Sequence, residues 1–181
     1  MLTLRFNLTR EEFLEYNYYT SWTSPDRRSY RFRYFMRVLA LYGLVAAGYV
    51  FINRNRHELL VDIFVFSAIG LIYALIVPVL VKRSIKSRVN SMLKEPENLH
   101  ILQTSEITLN EEGIIDKDSA SESRYNWEAI VKKVETKDSY YLYTSSYHAI
   151  LIPMRALSTT EEQKELKRLL DQHLPLASEL L

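Results

Sequence analysis

The 181-residue chain contains no cysteine, which excludes a disulfide scaffold, a thiolate metal site and a cysteine nucleophile. Glycine is almost as scarce. The four glycines stand at positions 43, 48, 70 and 113, and none belongs to a P-loop, a GxGxxG turn or a GxSxG elbow. There is no HExxH pair, and His57, His100, His148 and His173 are too scattered to supply the convergent ligands of a zinc site. Asp116, Asp118 and Glu122 group together but lack the turn glycine of a calcium loop, so they read as a solvated hairpin tip. These absences lead to the expectation of no metal, no cofactor and no enzymatic activity.

Net charge is small as well, +1 over the chain, but the sum hides a division. Residues 1–94 carry 14 basic and 6 acidic side chains, net +8, whereas residues 95–181 carry 9 and 16, net −7. Such asymmetry suggests a membrane or a charged tail. The apolar runs decide for a membrane. Residues 59–81 are 23 residues interrupted by one charge, Asp62. At ~1.5 Å per residue they reach ~35 Å, enough for a ~30 Å hydrocarbon core. Residues 38–52 alone fall short, but starting at Tyr34 gives a 19-residue span in which Arg37 reaches toward the headgroups along its apolar stem.

Only residues 53–58 separate the two runs, so the spans form an antiparallel hairpin. Arg27, Arg28, Arg31, Arg33 and Arg37 precede the first span, and Lys82, Arg83, Lys86, Arg88 and Lys94 follow the second; the loop has Arg54 and Arg56. Under the positive-inside rule both termini are then cytoplasmic. The first run begins more than thirty residues in and continues to full length, so it is expected to remain as an anchor rather than a cleaved signal. Asp62, near the outer end, is expected to pair with Arg54, Arg56 or His57 rather than to conduct ions. Pro78 is a candidate kink. Small residues recur at one-turn spacing, Ala40, Gly43 and Ala47 in the first span and Ser67, Gly70 and Ala74 in the second. Such stripes either hold the hairpin together or serve self-association in a homo-oligomer.

Before the spans, residues 1–7 alternate in strand fashion. Thr9 and Glu12 then form a capping box, with Leu8 and Phe13 at the staple positions, predicting a helix over 10–21. The aromatics Phe13, Tyr16, Tyr18, Tyr19 and Trp22 suit either a membrane interface or the carboxy-terminal domain. Arginines interleaved with aromatics over 27–37 would suit nucleic acid elsewhere; against a span, phospholipid headgroups are the better partner, and no nucleic acid is expected. The resulting division is an arm (1–33), a hairpin (34–81, with spans 34–52 and 59–81), a helical linker (82–98) and a domain (99–181). In that domain strands are expected over 106–110, 114–117, 122–127, 131–136, 140–144 and 149–152, with Pro153 closing the last. Ser158 with Glu161, or Thr159 with Glu162, would cap a helix reaching about His173. Leu166, Leu169 and Leu170 of that helix would cover a sheet. The fold class is a transmembrane helical hairpin plus an α+β module capped by one helix.

Several motifs carry a resemblance. They are Phe6-x-Leu8-Thr9-x-Glu11-Glu12-Phe13, Tyr125-x-Trp127 with Ile130, Tyr140-Tyr141-Leu142-Tyr143, and Ile150-Leu151-Ile152-Pro153-Met154-Arg155 followed by Ser158 and Glu162. In their order across nearly the whole chain they resemble the YcxB-like bacterial membrane proteins. The resemblance implies a pleckstrin-homology-like (PH-like) carboxy-terminal domain, a bent sheet capped by one helix, at the bacterial inner membrane. It brings no established activity and no catalytic residues to transfer, and so leaves the function open.

Tyr125, Trp127, Lys132, Lys133 and Arg155 are the candidate partner-binding residues, because aromatic anchors dominate interface energies. A domain of net −7 is repelled by an anionic leaflet, so a protein partner fits these residues better than a lipid headgroup. Membrane lipids are instead expected to meet the hairpin and its basic flanks. Gly43, Ala47, Gly70 and Ala74 are the candidates for helix packing. The expected function is a non-enzymatic inner-membrane protein whose cytoplasmic module serves protein interaction or sensing. The alternatives are a membrane-protective or bacteriocin-immunity-type protein and a subunit of a homo-oligomeric channel.

Overall fold

Leu2, Leu4 and Phe6 are buried while Thr3, Arg5 and Asn7 are exposed, the alternation of a strand with one face in a core. The computed structural model, which describes residues 1–53 and 59–174, makes this segment strand β1 (Leu2–Asn7). Contacts divide the chain into two units: Met1–Thr20 joined with the chain from Val89 onward, and Ser21–Arg88.

The first unit holds two antiparallel sheets. One has the order β1-β2-β3-β4, with β2 at Thr104–Leu109, β3 at Gly113–Lys117 and β4 at Glu122–Asn126. The other has the order β5-β6-β7, at Lys132–Glu135, Ser139–Tyr143 and Ala149–Pro153. β1 pairs with β2 from Leu2↔Leu109 to Asn7↔Thr104, so the whole second unit is inserted between two neighbouring strands of the first. Helix α1 spans Arg10–Tyr18 and continues as a π-helical turn, Tyr19–Thr23, which ends the α-helix before the expected residue 21. Helix α4 spans Thr160–His173.

Both expected capping boxes form. Thr9 and Glu12 exchange side-chain and backbone bonds at α1, and Thr159 with Glu162, rather than Ser158 with Glu161, does so at α4. The expected staple residues part company: Leu8 packs on the main core and Phe13 on a second cluster.

The main core collects Leu4, Ile107, Leu109, Ile114, Leu142, Ile150 and Ile152 from both sheets under Leu166, Leu169 and Leu170 of α4. Strand β6 is buried along its whole length because it faces two ways. Tyr140 and Leu142 enter the main core, while Tyr141 and Tyr143 pack with Tyr16 of α1, which covers the sheet from outside. The Tyr16 and Tyr141 rings meet edge-on at 5.5 Å. The outer face of the four-stranded sheet has a row of alternating charge, Arg5↔Glu106↔Lys117↔Glu122, suited to water.

In the second unit, helix α2 spans Arg28–Ile52 and α3 spans Leu59–Met92 without interruption at Pro78. Tyr42 Oη donates to the Phe66 carbonyl at 2.9 Å, and the Tyr34 and Tyr73 side chains approach each other, so the two helices run antiparallel. At the foot of α2, Trp22 is buried against the rings of Tyr30, Tyr34 and Phe35, and Arg31 donates to the Trp22 and Ser24 carbonyls. The arm's aromatics therefore divide: Phe13, Tyr16 and Tyr19 belong to the strand-rich unit and Trp22 to the helical one.

Candidate interaction surfaces and membrane-facing helices

Both long helices are apolar over a span's length, yet they bury almost nothing. Of the most hydrophobic 18-residue windows within Pro25–Ile52 and Leu60–Met92, 0% and 6% respectively are buried. A core helix of a water-soluble domain would be mostly buried, whereas here Leu41, Leu44, Phe51, Phe64, Leu71, Leu75 and Val79 stand open. An apolar surface of this continuity needs a non-aqueous partner, and two such helices suggest membrane association.

The helix-packing candidates fall on different faces. Gly70 sits in the hairpin contact, where a Cβ would lie 3.6 Å from the Tyr42 ring, and Ala74 follows one turn later on the same half-buried face. Gly43 meets nothing within 4 Å, and Ala47, one turn on, is exposed with it. One stripe thus lets the helices approach and the other faces outward. Asp62 is half-buried in the first turn of α3. Its expected partners Arg54, Arg56 and His57, like most of the expected loop 53–58, lie outside the described residues.

In the strand-rich unit, each of the partner-binding candidates makes contacts within the fold. Arg155 Nε and Nη2 donate to Glu12 Oε1 and Oε2 at 2.6 and 2.8 Å, and Nη2 also donates to the Asn7 carbonyl. Lys133 pairs with Asp171 of α4 at 2.8 Å, and this hydrogen bond holds the Asp171 carboxyl below its usual range. The Lys132 ammonium lies 5.7 Å from the centre of the Tyr143 ring, a cation–π contact. Trp127 is buried, stacks on His173 at 4.8 Å with a 4° interplanar angle, and donates from Nε1 to the Asn110 carbonyl at 3.0 Å. Tyr125 is half-buried against the main core. Charge and ring type alone made these residues candidates; their partners lie far along the chain, where no local pattern announces them.

The acidic group at 116–122 is not uniformly solvated. Asp118 Oδ1 accepts from the Ala120 and Ser121 amides at 2.7 and 2.6 Å and shapes the turn. Asp116 pairs with buried Ile107, on the same side of β3 as Ile114, so it points inward. Burial, with the neighbouring charge of Asp118, pushes its carboxyl up. The tip therefore begins after Asp116. Among the described residues no group of three or more His, Asp or Glu side chains is placed to hold a metal ion.

No match to this chain was found among the curated proteins or the solved structures. A family model does match. Residues 109–170, which run from the end of β2 into α4, match the YcxB-like protein family, the family whose motifs the sequence resembles.

Proposed function

We propose that this is an integral membrane protein whose two helices form a spanning hairpin with both termini in the cytoplasm, and whose strand-rich unit is a PH-like, non-enzymatic module for protein interaction at the membrane face. The insertion of the helical unit between the paired strands β1 and β2 carries this reading. With the anchor between two hydrogen-bonded neighbours, the segments that flank it on either side belong to one folded module. Arg27, Arg28, Arg31 and Arg33 before the first span and the five basic residues after the second favour the cytoplasm for that module. Two sheets covered by helix α4 suit the bent sheet capped by one helix that the resemblance implies.

Within the module, α1 covers the outside of the β5-β6-β7 sheet, whereas the outer face of β1-β2-β3-β4 presents Thr3, Thr108, Ile115 and Arg124 in one row beside the charged row. We assign the partner surface to that sheet face.

The absence of native cysteine makes the test direct. Single cysteines at Thr108, Arg124 and Glu58 are labelled in intact cells and in inverted vesicles with a membrane-impermeant maleimide. Labelling of the first two only in inverted vesicles, and of the third only in intact cells, supports the topology; the reverse pattern overturns it. Photo-reactive residues at Thr108 and Arg124 then report the partner. A discrete protein adduct supports the interaction module, and adducts to lipid alone overturn it.

A further inference from the structure

We propose that Arg33 and Arg37, one turn apart on α2, form a binding site for the phosphate of an anionic glycerophospholipid within the inner leaflet, a proposal that rests on the spanning reading above. Tyr42 and Tyr49, whose rings meet Phe66, mark the side of α2 turned toward α3. At 100° per residue Arg33 and Arg37 lie away from that side, and both are exposed. Neither has a hydrogen-bond or ion-pair partner among the described residues, whereas Arg31 is committed to the Trp22 and Ser24 carbonyls.

The register of the hairpin makes this pair unusual. The Tyr42–Phe66 bond and the approach of Tyr34 to Tyr73 place Arg37 beside about Gly70 and Arg33 beside about Ala74. The apolar run of α3 continues past both to Val81, before Lys82 and Arg83. Arg37 therefore stands about eleven residues, or ~16 Å, inside the end of its neighbour's apolar run. Even with its side chain extended toward the helix amino terminus, its guanidinium stays below the level of Lys82. A bare guanidinium there is costly, and bilayers answer by drawing headgroups and water inward. Two forks one turn apart suit a phosphate, which accepts bidentate bonds. Exposed Leu41 and Leu44, one and two turns on, offer apolar surface to an acyl chain. A free phosphate ion would gain the charge contact but nothing from those leucines.

The full chain in detergent micelles is titrated with phosphatidylglycerol, with phosphatidylcholine of the same acyl chains, or with inorganic phosphate, and bound lipid is counted by native mass spectrometry. The expected result is a preference for phosphatidylglycerol of roughly tenfold or more. It is lost in R33Q/R37Q, partly kept in R33K/R37K and unchanged in R83Q/K86Q. An unchanged preference in R33Q/R37Q, an equal loss in R83Q/K86Q, or equal competition by inorganic phosphate would each overturn the site. A photo-reactive residue at Ala40, which leaves both arginines in place, gives a second reading in mixed vesicles: enriched phosphatidylglycerol adducts support the site, and adducts in proportion to vesicle composition overturn it. Alkaline carbonate extraction separates the two proposals. Release of the wild-type chain from membranes overturns the spanning reading and the site with it, whereas retention with no lipid preference overturns the site alone.

Discussion

Arg155 and Glu12, 143 positions apart, close a two-pronged ion pair that ties the first turn of α1 to the segment after β7. Glu12 is also the capping residue of its own helix, and Arg155 reaches the last carbonyl of β1. One guanidinium thus holds together a strand end and a helix start, both supplied from before the two long apolar helices. Partial burial pushes the Glu12 carboxyl up, but the hydrogen bonds from Arg155 and Thr9 outweigh it and bring the pKa below the ordinary value. A lowered carboxylate pKa stabilises the fold above the unfolded-state pKa, and that contribution is lost as pH falls through the folded one. Glu12 is mostly covered but Arg155 stays half-exposed, so solvent screening limits the expected cost of R155Q to about 1 kcal/mol. A double-mutant cycle with E12Q, read by denaturant unfolding at neutral and at acidic pH, should show the coupling at the first and its loss at the second.

At the alkaline end the tyrosines of β6 act together. Burial raises the phenols of Tyr140, Tyr141 and Tyr143 to about 12. With a folded pKa above the unfolded value near ~10, each contributes stability that is complete below about pH 10 and lost as pH rises toward 12. The thermal unfolding midpoint should fall progressively across that window. Tyr141→Phe and Tyr143→Phe should each flatten the dependence.

Local signals in this sequence were legible where the physics is local. The capping boxes at Thr9 and Thr159, the period-two alternation of Leu2, Leu4 and Phe6, and the leucine face of α4 each lie within a few residues and form as expected. The pairing of Asn7 with Thr104 is not local, since 97 positions (104 − 7) and two membrane-length helices intervene, and nothing in either segment names the other. The same holds for the proposed partner residues. Lys133 and Arg155 look available as sequence, but their counter-charges, Asp171 and Glu12, arrive only with the fold. Register was also hidden: that Arg37 stands beside Gly70 depends on tyrosine contacts between helices.

Gly113 opens β3 because β4 passes too close for any side chain. A Cβ there would lie 2.2 Å from the Tyr125 carbonyl oxygen, and backbone cannot move aside as a side-chain tip can. The Asn110 side chain accepts from the Glu112 and Gly113 amides at 2.9 Å each, so the turn is held from its other side as well. Gly113→Ala is expected to destabilise the module by ~1–3 kcal/mol, the range for forcing extra atoms into a packed site. The denaturant midpoint should fall with little change in slope, as for a loss of stability without a change in the surface exposed.

The two glycines of the small-residue stripes should respond in opposite ways to the same substitution. Gly70 faces the Tyr42 ring at 3.6 Å from where a Cβ would stand. Gly70→Leu therefore has to displace that ring, and with it the Tyr42 bond to the Phe66 carbonyl that holds α2 against α3. Gly43→Leu adds its atoms to open space and leaves the hairpin contact untouched. With cysteines introduced at Tyr34 and Tyr73, whose side chains meet in the hairpin, disulfide formation in membranes reads the approach of the helices. Gly70→Leu should slow it severalfold and Gly43→Leu should not change it. The oligomeric size of Gly43→Leu in mild detergent then reports on the outward stripe: a shift from dimer to monomer would mean that a second copy packs on Gly43 and Ala47, while an unchanged size would leave that stripe to the lipid. Equal slowing by both substitutions would mean that the hairpin's register differs from the one set by Tyr42 and Tyr34, and the depth assigned to Arg37 would then have to be revised with it.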